Sequence, residues 1–288
     1  MIALRRMMHG YNAAPQAELL GLSPNQLMQL LDGDWRTTGA VRLTSRLTGD
    51  LAGRAWAFRA ALAFMRLVIT QGSAPVTATG NLTRKFVALA VEALDFPPGY
   101  LDRIRQYNKV INEPDVGRLF ELRHTLVEAG YLRGRAGFRV TPLGRKALEL
   151  VAVEPGAVFR RLFLARMGLT GNILDKEGVT FRSPLGPALF LLQERAADWI
   201  ESPALMGALL IPHLVPHQTV YQLGSLAWQW VVAPCRDFGL VDVREGARLI
   251  EPDHVRITPL FGEFISFRFD LDGRRPPVAR PPGTPGVH

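Results

Sequence analysis

The chain has 288 residues, 48% hydrophobic and 21% charged, a balance that supplies a buried core and excludes a globally disordered protein. One cysteine, Cys235, excludes an intramolecular disulfide and a cysteine-rich zinc site, and it fits a reducing compartment such as the cytoplasm. The formal charge of +8 points toward polyanions, yet nearly all of it is arginine, a bias that GC-rich coding produces whatever the function.

In chain order, the start "MIALRRMMHGYNAAPQAEL" carries two arginines with no apolar stretch behind them and does not read as a secretory signal. A helix is predicted from Pro24, with Ser23 as its cap and Leu27, Leu30 and Leu31 on one face. "RAWAFRAALAFMRLVITQG" (54–72) predicts a strong helix that stops at Gly72. A Thr-x-Thr-Gly segment follows, then a helix over 82–94 with Thr83 near its start and a break at "FPPGY". The clearest helix lies within 113–132, where Leu119, Leu122, Leu126 and Ala129 recur at helical spacing and Gly130 ends it. Two short strands, "YLRG" and "FRVT", are joined through "RGRAG", and "PLGRKALELVA" closes the unit as a helix. Residues 155–230 read as apolar helices, among them "PALFLLQERAADWI" (187–200). The pattern of helix, glycine and strand then returns at 226–243. The stretch "ALMGALLIPHLV" (204–215) is too short to span a membrane and holds Pro212 and His213, so it predicts a buried helix; no membrane span is expected. Residues 270–288 are Pro- and Gly-rich and predict a disordered tail.

Three segments share one punctuation: "PVTATGNLTRKFV" (75–87), "FRVTPLGRKAL" (138–148) and "VRITPLFGEFI" (255–265). In the latter two, a glycine breaks a helix, apolar residues begin a strand, a turn follows, and threonine caps the next helix. The words "LFELRHTLVEAGYL-RGRAG-FRVTPLGRKAL" and "VVAPCRDFGLV…HVRITPLFGEF" resemble the second half of winged-helix domains of the MarR and PadR regulator families. A narrower likeness, carried by "YNAAPQAELLGLSPNQLMQLL", "TATGNLTRKFV" and "QYNKVINEPDV", is to an uncharacterised bacterial group with relatives of the pRiA4b ORF-3 and SEC-C-associated kinds. That second resemblance implies an architecture and no catalytic residues, and the Cys-rich SEC-C tail is absent. The implied fold is mainly α with small β-wings: tandem winged-helix units joined by a helical segment. The expected divisions are an N-terminal helical region (1–99) that includes a degenerate winged-helix copy, a winged-helix unit with a basic wing (100–153), a helical middle (154–218), a second winged-helix unit (219–269) and the tail (270–288).

Charge is localised: residues 100–148 carry ten basic against five acidic side chains, whereas 219–269 carry five against six. In the first unit, Arg133, Arg135 and Arg139 bracket the turn between the strands, Arg145 and Lys146 open the next helix, and Arg118 and Arg123 flank the preceding helix. These seven are the candidate contacts to double-stranded DNA, since wing arginines pair with phosphates or enter a minor groove. Against a major-groove role, a helical wheel turns Glu121, His124, Thr125 and Glu128 outward. The second unit mixes acids into its wing and presents Trp228 and Trp230, which suit a homodimer or another protein partner through 219–269. The leading expectation is a non-enzymatic, cytoplasmic DNA-binding protein of the transcription-regulator class. The alternative is a protein–protein interaction module that uses the same domains without DNA.

No constellation predicts catalysis, a metal or a cofactor. His213 and His217 have ligand spacing, but Pro212 and Pro216 break their helix and no third ligand is near. Glu194 and Asp198 read as a solvated stripe. "GSAPVTATG" lacks the lysine and spacing of a phosphate loop. Cys235, between Pro234 and Arg236, has no evident base and reads as a buried, inert thiol.

Overall fold

The computed structural model describes residues 10–31, 35, 39–171, 184–215, 218–245 and 252–269, which fold as helices around three small antiparallel sheets. Helix α1 (Pro24–Leu30) opens on a reciprocal cap: the Ser23 hydroxyl accepts from the Gln26 N–H, and the Gln26 side chain accepts from the Ser23 N–H. Strand β1 (Val41–Leu43) and short α2 (Gly49–Gly53) lead into α3 (Trp56–Thr70). Phe58, Phe64, Met65 and Val68 are buried on α3 along with Ala57, Ala60 and Ala61, so it is a central core helix rather than a surface one.

After α3 come β2 (Ala74–Pro75), α4 (Arg84–Ala93), α5 (Tyr100–Tyr107), α6 (Gly117–Glu128), β3 (Leu132–Arg133), β4 (Gly137–Val140) and α7 (Pro142–Leu150), and the sheet order is β2-β4-β3. Helix α8 (Pro155–Gly171) follows. Next are α9 (Leu185–Arg195), β5 (Ile200–Glu201), α10 (Ser202–Met206), α11 (Val220–Ala227), a π-helical turn (Trp228–Val232), α12 (Ala233–Asp237), β6 (Val241–Arg244), β7 (His254–Ile257), α13 (Pro259–Phe264) and β8 (Ile265–Phe267). The second three-stranded sheet has the order β5-β7-β6, and β8 pairs back onto β1. The described chain therefore runs helix, strand, three helices, strand, strand, helix twice, with the last strand central each time.

This order moves two of the expected boundaries. The division at 99/100 falls inside one sheet, because Ala74 and Pro75 pair with Phe138 and Gly137. The division at 218/219 does the same, because Ile200 and Glu201 pair with Val255 and His254. The end of the helix expected over 187–200 is strand β5, since α9 stops at Arg195. The expected tail, 270–288, lies outside the described residues.

The two "TPL" copies are the same device in atomic detail. Gly130 and Gly239 both turn with positive φ, +74° and +68°, at the end of α6 and α12. The hydroxyl of Thr141 donates to the Gly130 carbonyl at 2.7 Å, and that of Thr258 donates to the Gly239 carbonyl at 2.7 Å. The backbone repeats it: the Thr141 N–H reaches the Tyr131 carbonyl, and the Thr258 N–H reaches that of Leu240, each at 2.9 Å. The Thr77 copy is different. Its N–H bonds the Asn81 carbonyl at 2.7 Å and its carbonyl accepts from Gly80, which makes a turn between β2 and α4.

Helix α8 joins the halves. It packs on α6, while Phe159 and Phe163 each meet Phe238 and Phe264 edge-on, with centroids 4.8–5.3 Å apart. One hydrophobic cluster runs through both halves. Among the described residues no helix is long and apolar enough to cross a membrane.

Candidate nucleic-acid interface

The β3–β4 hairpin is built for a tight turn. Gly134 has φ of +147°, and a Cβ there would sit 2.0 Å from the Gly137 carbonyl oxygen, so only glycine fits. The register sets Arg133 directly opposite Arg139, which puts two like charges on one face of a two-stranded ribbon. Such a pairing destabilises a hairpin unless an anion lies between the charges. Arg135 occupies the turn, and Arg145 and Lys146 stand in the first half of α7. All five side chains are exposed, and none forms an ion pair with a described carboxylate. Residues 131–146 contain no acidic residue at all. Five of the seven candidate contacts are thus gathered on one hairpin and the helix it feeds.

The other two are not available to phosphates. Arg118 is 10% exposed and its Nη2 lies 3.0 Å from Asp237 Oδ1, across the junction with the second half. Its guanidinium stands over the rings of Trp56 and Tyr100, at 5.1 and 5.2 Å, and its backbone N–H donates to the Tyr100 hydroxyl. Arg123 is also buried, ion-paired with the fully buried Glu113 and stacked over Phe120 and Phe138. Glu113 further accepts from the Leu82 N–H at 2.7 Å, so one carboxylate ties α6 to the segment that leads into α4.

The outward face expected for α6 is largely inward. Thr125 is buried, with its hydroxyl donating to the Glu121 carbonyl, and Glu121 pairs with Arg166 of α8. Only Glu128 of that predicted face is fully in solvent. His124 is half-buried beside Phe120, with centroids 4.4 Å apart, and burial first, then neighbouring Arg123, lowers its pKa. Around this region the remaining cations are mostly matched: Arg103 contacts both Glu245 oxygens at 2.7 Å, and Arg105 pairs with Asp102.

In the second half, Trp228 and Trp230 lie in the π-helical turn, half-buried and packed against the core, and Arg236 stands over the Trp228 ring at 5.7 Å. The hairpin there is charge-balanced by the Arg256–Asp242 pair, and the middle of its expected wing, 246–251, lies outside the described residues. Sequence reading missed Trp199, which sits under both Arg244 and Arg256, at 4.4 and 4.6 Å. No local signal marked it: Trp199 lies just before the unrecognised β5, and Arg244 and Arg256 come together only through the β6–β7 register. Cys235 is fully buried and desolvation pushes its thiol well up, which leaves it inert. No cluster of metal-ligand type occurs among the described residues. His213 is exposed, and His217 lies outside the described residues.

The unit that carries the basic hairpin, helix-rich with one three-stranded sheet, coincides with a family match: residues 54–153 match the Y4jL N-terminal domain. The chain is also 35% identical over 117 residues to the uncharacterized protein y4jL of Sinorhizobium fredii (strain NBRC 101917 / NGR234), covering 40% of this chain and 51% of that protein. This chain therefore spans about half the length of the curated relative it matches, and the likeness is to an uncharacterised bacterial family. No solved structure matches.

Proposed function

We propose that this is a non-enzymatic, cytoplasmic DNA-binding protein of the transcription-regulator class, with winged-helix units at α3–α7 and α9–α13, and that the first unit contacts duplex phosphates through its wing. The carrying observation is the Arg133–Arg139 cross-strand pair, held face to face with no ion pair to a carboxylate among the described residues and extended by Arg135, Arg145 and Lys146. A polyanion spaced like a phosphate backbone relieves that repulsion. The strand order β2-β4-β3 beside three helices supports the winged-helix reading. With α6 packed on α8, the helix that reads the major groove in such folds is assigned no base contacts in this proposal. The reading is therefore wing-led and largely indifferent to sequence.

The test is duplex binding by fluorescence anisotropy across salt concentrations. Five phosphate contacts give a log–log slope of about −4.5, and Gln at Arg133, Arg135 and Arg139 together leaves about −1.8. No binding at low salt, or an unchanged slope in the triple variant, rejects the proposal.

A further inference from the structure

Between Glu201 and Arg236 the chain runs for 34 residues without an aspartate, glutamate, lysine or arginine, twice the longest such run elsewhere, the 17 residues 67–83. At the 21% charge of the whole chain, about seven would be expected there. Burial does not account for the gap. Pro203, Ala204 and Gly207 at α10 and Tyr221, Gln222 and Ser225 of α11 are all exposed, Tyr221 to 84%. The two helices lie side by side, and a Cβ on Gly224 would touch Met206 at 3.7 Å.

Helix α11 turns Leu223 and Ala227 into the core. On its outer side Tyr221, Ser225 and Gln229 follow one another at steps of four, and half-buried Trp228 stands three residues on from Ser225. A solvated helix face ordinarily carries charges of both signs. Tyrosine and tryptophan with lysine, glutamate and aspartate missing is instead the composition of the centre of a protein interface.

Electrostatics selects the occupant. The chain has a formal charge of +8, so two copies repel wherever they bring arginines together, and an acidic partner is drawn to those arginines rather than to this face. A second copy of the chain is the partner for which an uncharged face matters, because it is where two such chains meet at the least electrostatic cost. We infer that the α10–α11 face is the interface of a homodimer, with α11 set against its copy about a twofold axis. Nothing in this inference depends on DNA binding.

Sedimentation equilibrium of the full chain, without DNA, tests it. At about 10 μM the chain sediments at twice its monomer mass, and the dissociation constant falls as salt rises, because salt screens the repulsion between two +8 chains. Ser225→Glu sets two carboxylates against each other and weakens the dimer about a hundredfold, and an equimolar mixture with Ser225→Arg restores it. Tyr221→Ser, at a side chain too exposed for its loss to unfold the chain, weakens it about tenfold. A chain that stays monomeric, whether or not it binds phosphatidylcholine vesicles, overturns the inference. So does association that weakens with salt, or that survives Ser225→Glu or Tyr221→Ser unchanged. Should Ser225→Glu fail to fold, Tyr221→Ser decides alone.

Discussion

Replacing Thr141 and Thr258 by valine is one chemical change made at two copies of one device, and the structure ranks the outcomes. Valine keeps the β-branch, the volume and the extended backbone that both threonines adopt. The Thr141 hydroxyl makes two bonds: it donates to the Gly130 carbonyl at 2.7 Å and accepts from the Gly144 N–H at 3.0 Å, capping α7. Thr258 makes only the first kind, to Gly239, and does not cap α13. A net hydrogen bond is worth about 1 kcal/mol and a lost helix cap about 1 kcal/mol. Thr141→Val should therefore cost about 2 kcal/mol and Thr258→Val about 1 kcal/mol. The two sites share no partner, so the double variant should lose about 3 kcal/mol. Urea unfolding at unchanged m-value reads these differences. Equal losses, or a larger one at Thr258, would refute the role given to the Gly144 bond; losses near zero at both would refute the clamp itself.

Three further outcomes follow from the same structure. Glu113→Gln, which strands the buried Arg123 guanidinium, should cost about 3 kcal/mol in urea unfolding, and a loss below about 1 kcal/mol would contradict the pairing. Arg139→Thr should raise stability at low salt by up to about 1 kcal/mol while weakening duplex binding; a less stable variant would show that the facing arginines do not repel. His124 has a folded pKa below its unfolded value, so the unfolded chain takes up the proton first. Stability is then full above about pH 6.5 and declines as pH falls below it, and His124→Gln should flatten that limb; an unchanged limb would exclude His124 as its source.

Much of the local structure was legible in the sequence because it is written locally. Ser23 and Pro24 start α1, Gly130 ends α6, and the two "TPL" segments start helices as punctuation predicts. The exposure of the hairpin cations Arg133, Arg135, Arg139, Arg145 and Lys146 was legible for the same reason: no described carboxylate from elsewhere in the chain pairs with them. Arg118 and Arg123 were misread because their counter-charges, Asp237 and Glu113, come from elsewhere in the chain, and no periodicity carries that information. A helical wheel assumes one buried face, and α6 is covered on a second by α8, which is why Thr125 is inside. Strands β2 and β5 are two residues each, below the length at which alternation can be seen, and they exist because β4 and β7 offer a free edge.

The pairing of β1 with β8 has a consequence for how the protein is made. Val41 and Leu43 gain their strand partners only when Phe267 and Ile265 arrive beside them, more than two hundred residues later. At ribosomal rates of roughly 5–20 residues per second, that early strand waits about 10–45 s with an open edge. During synthesis it is an apolar ribbon seeking any partner, so a nascent chain paused before Ile265 is the species most exposed to misassociation and most in need of a chaperone.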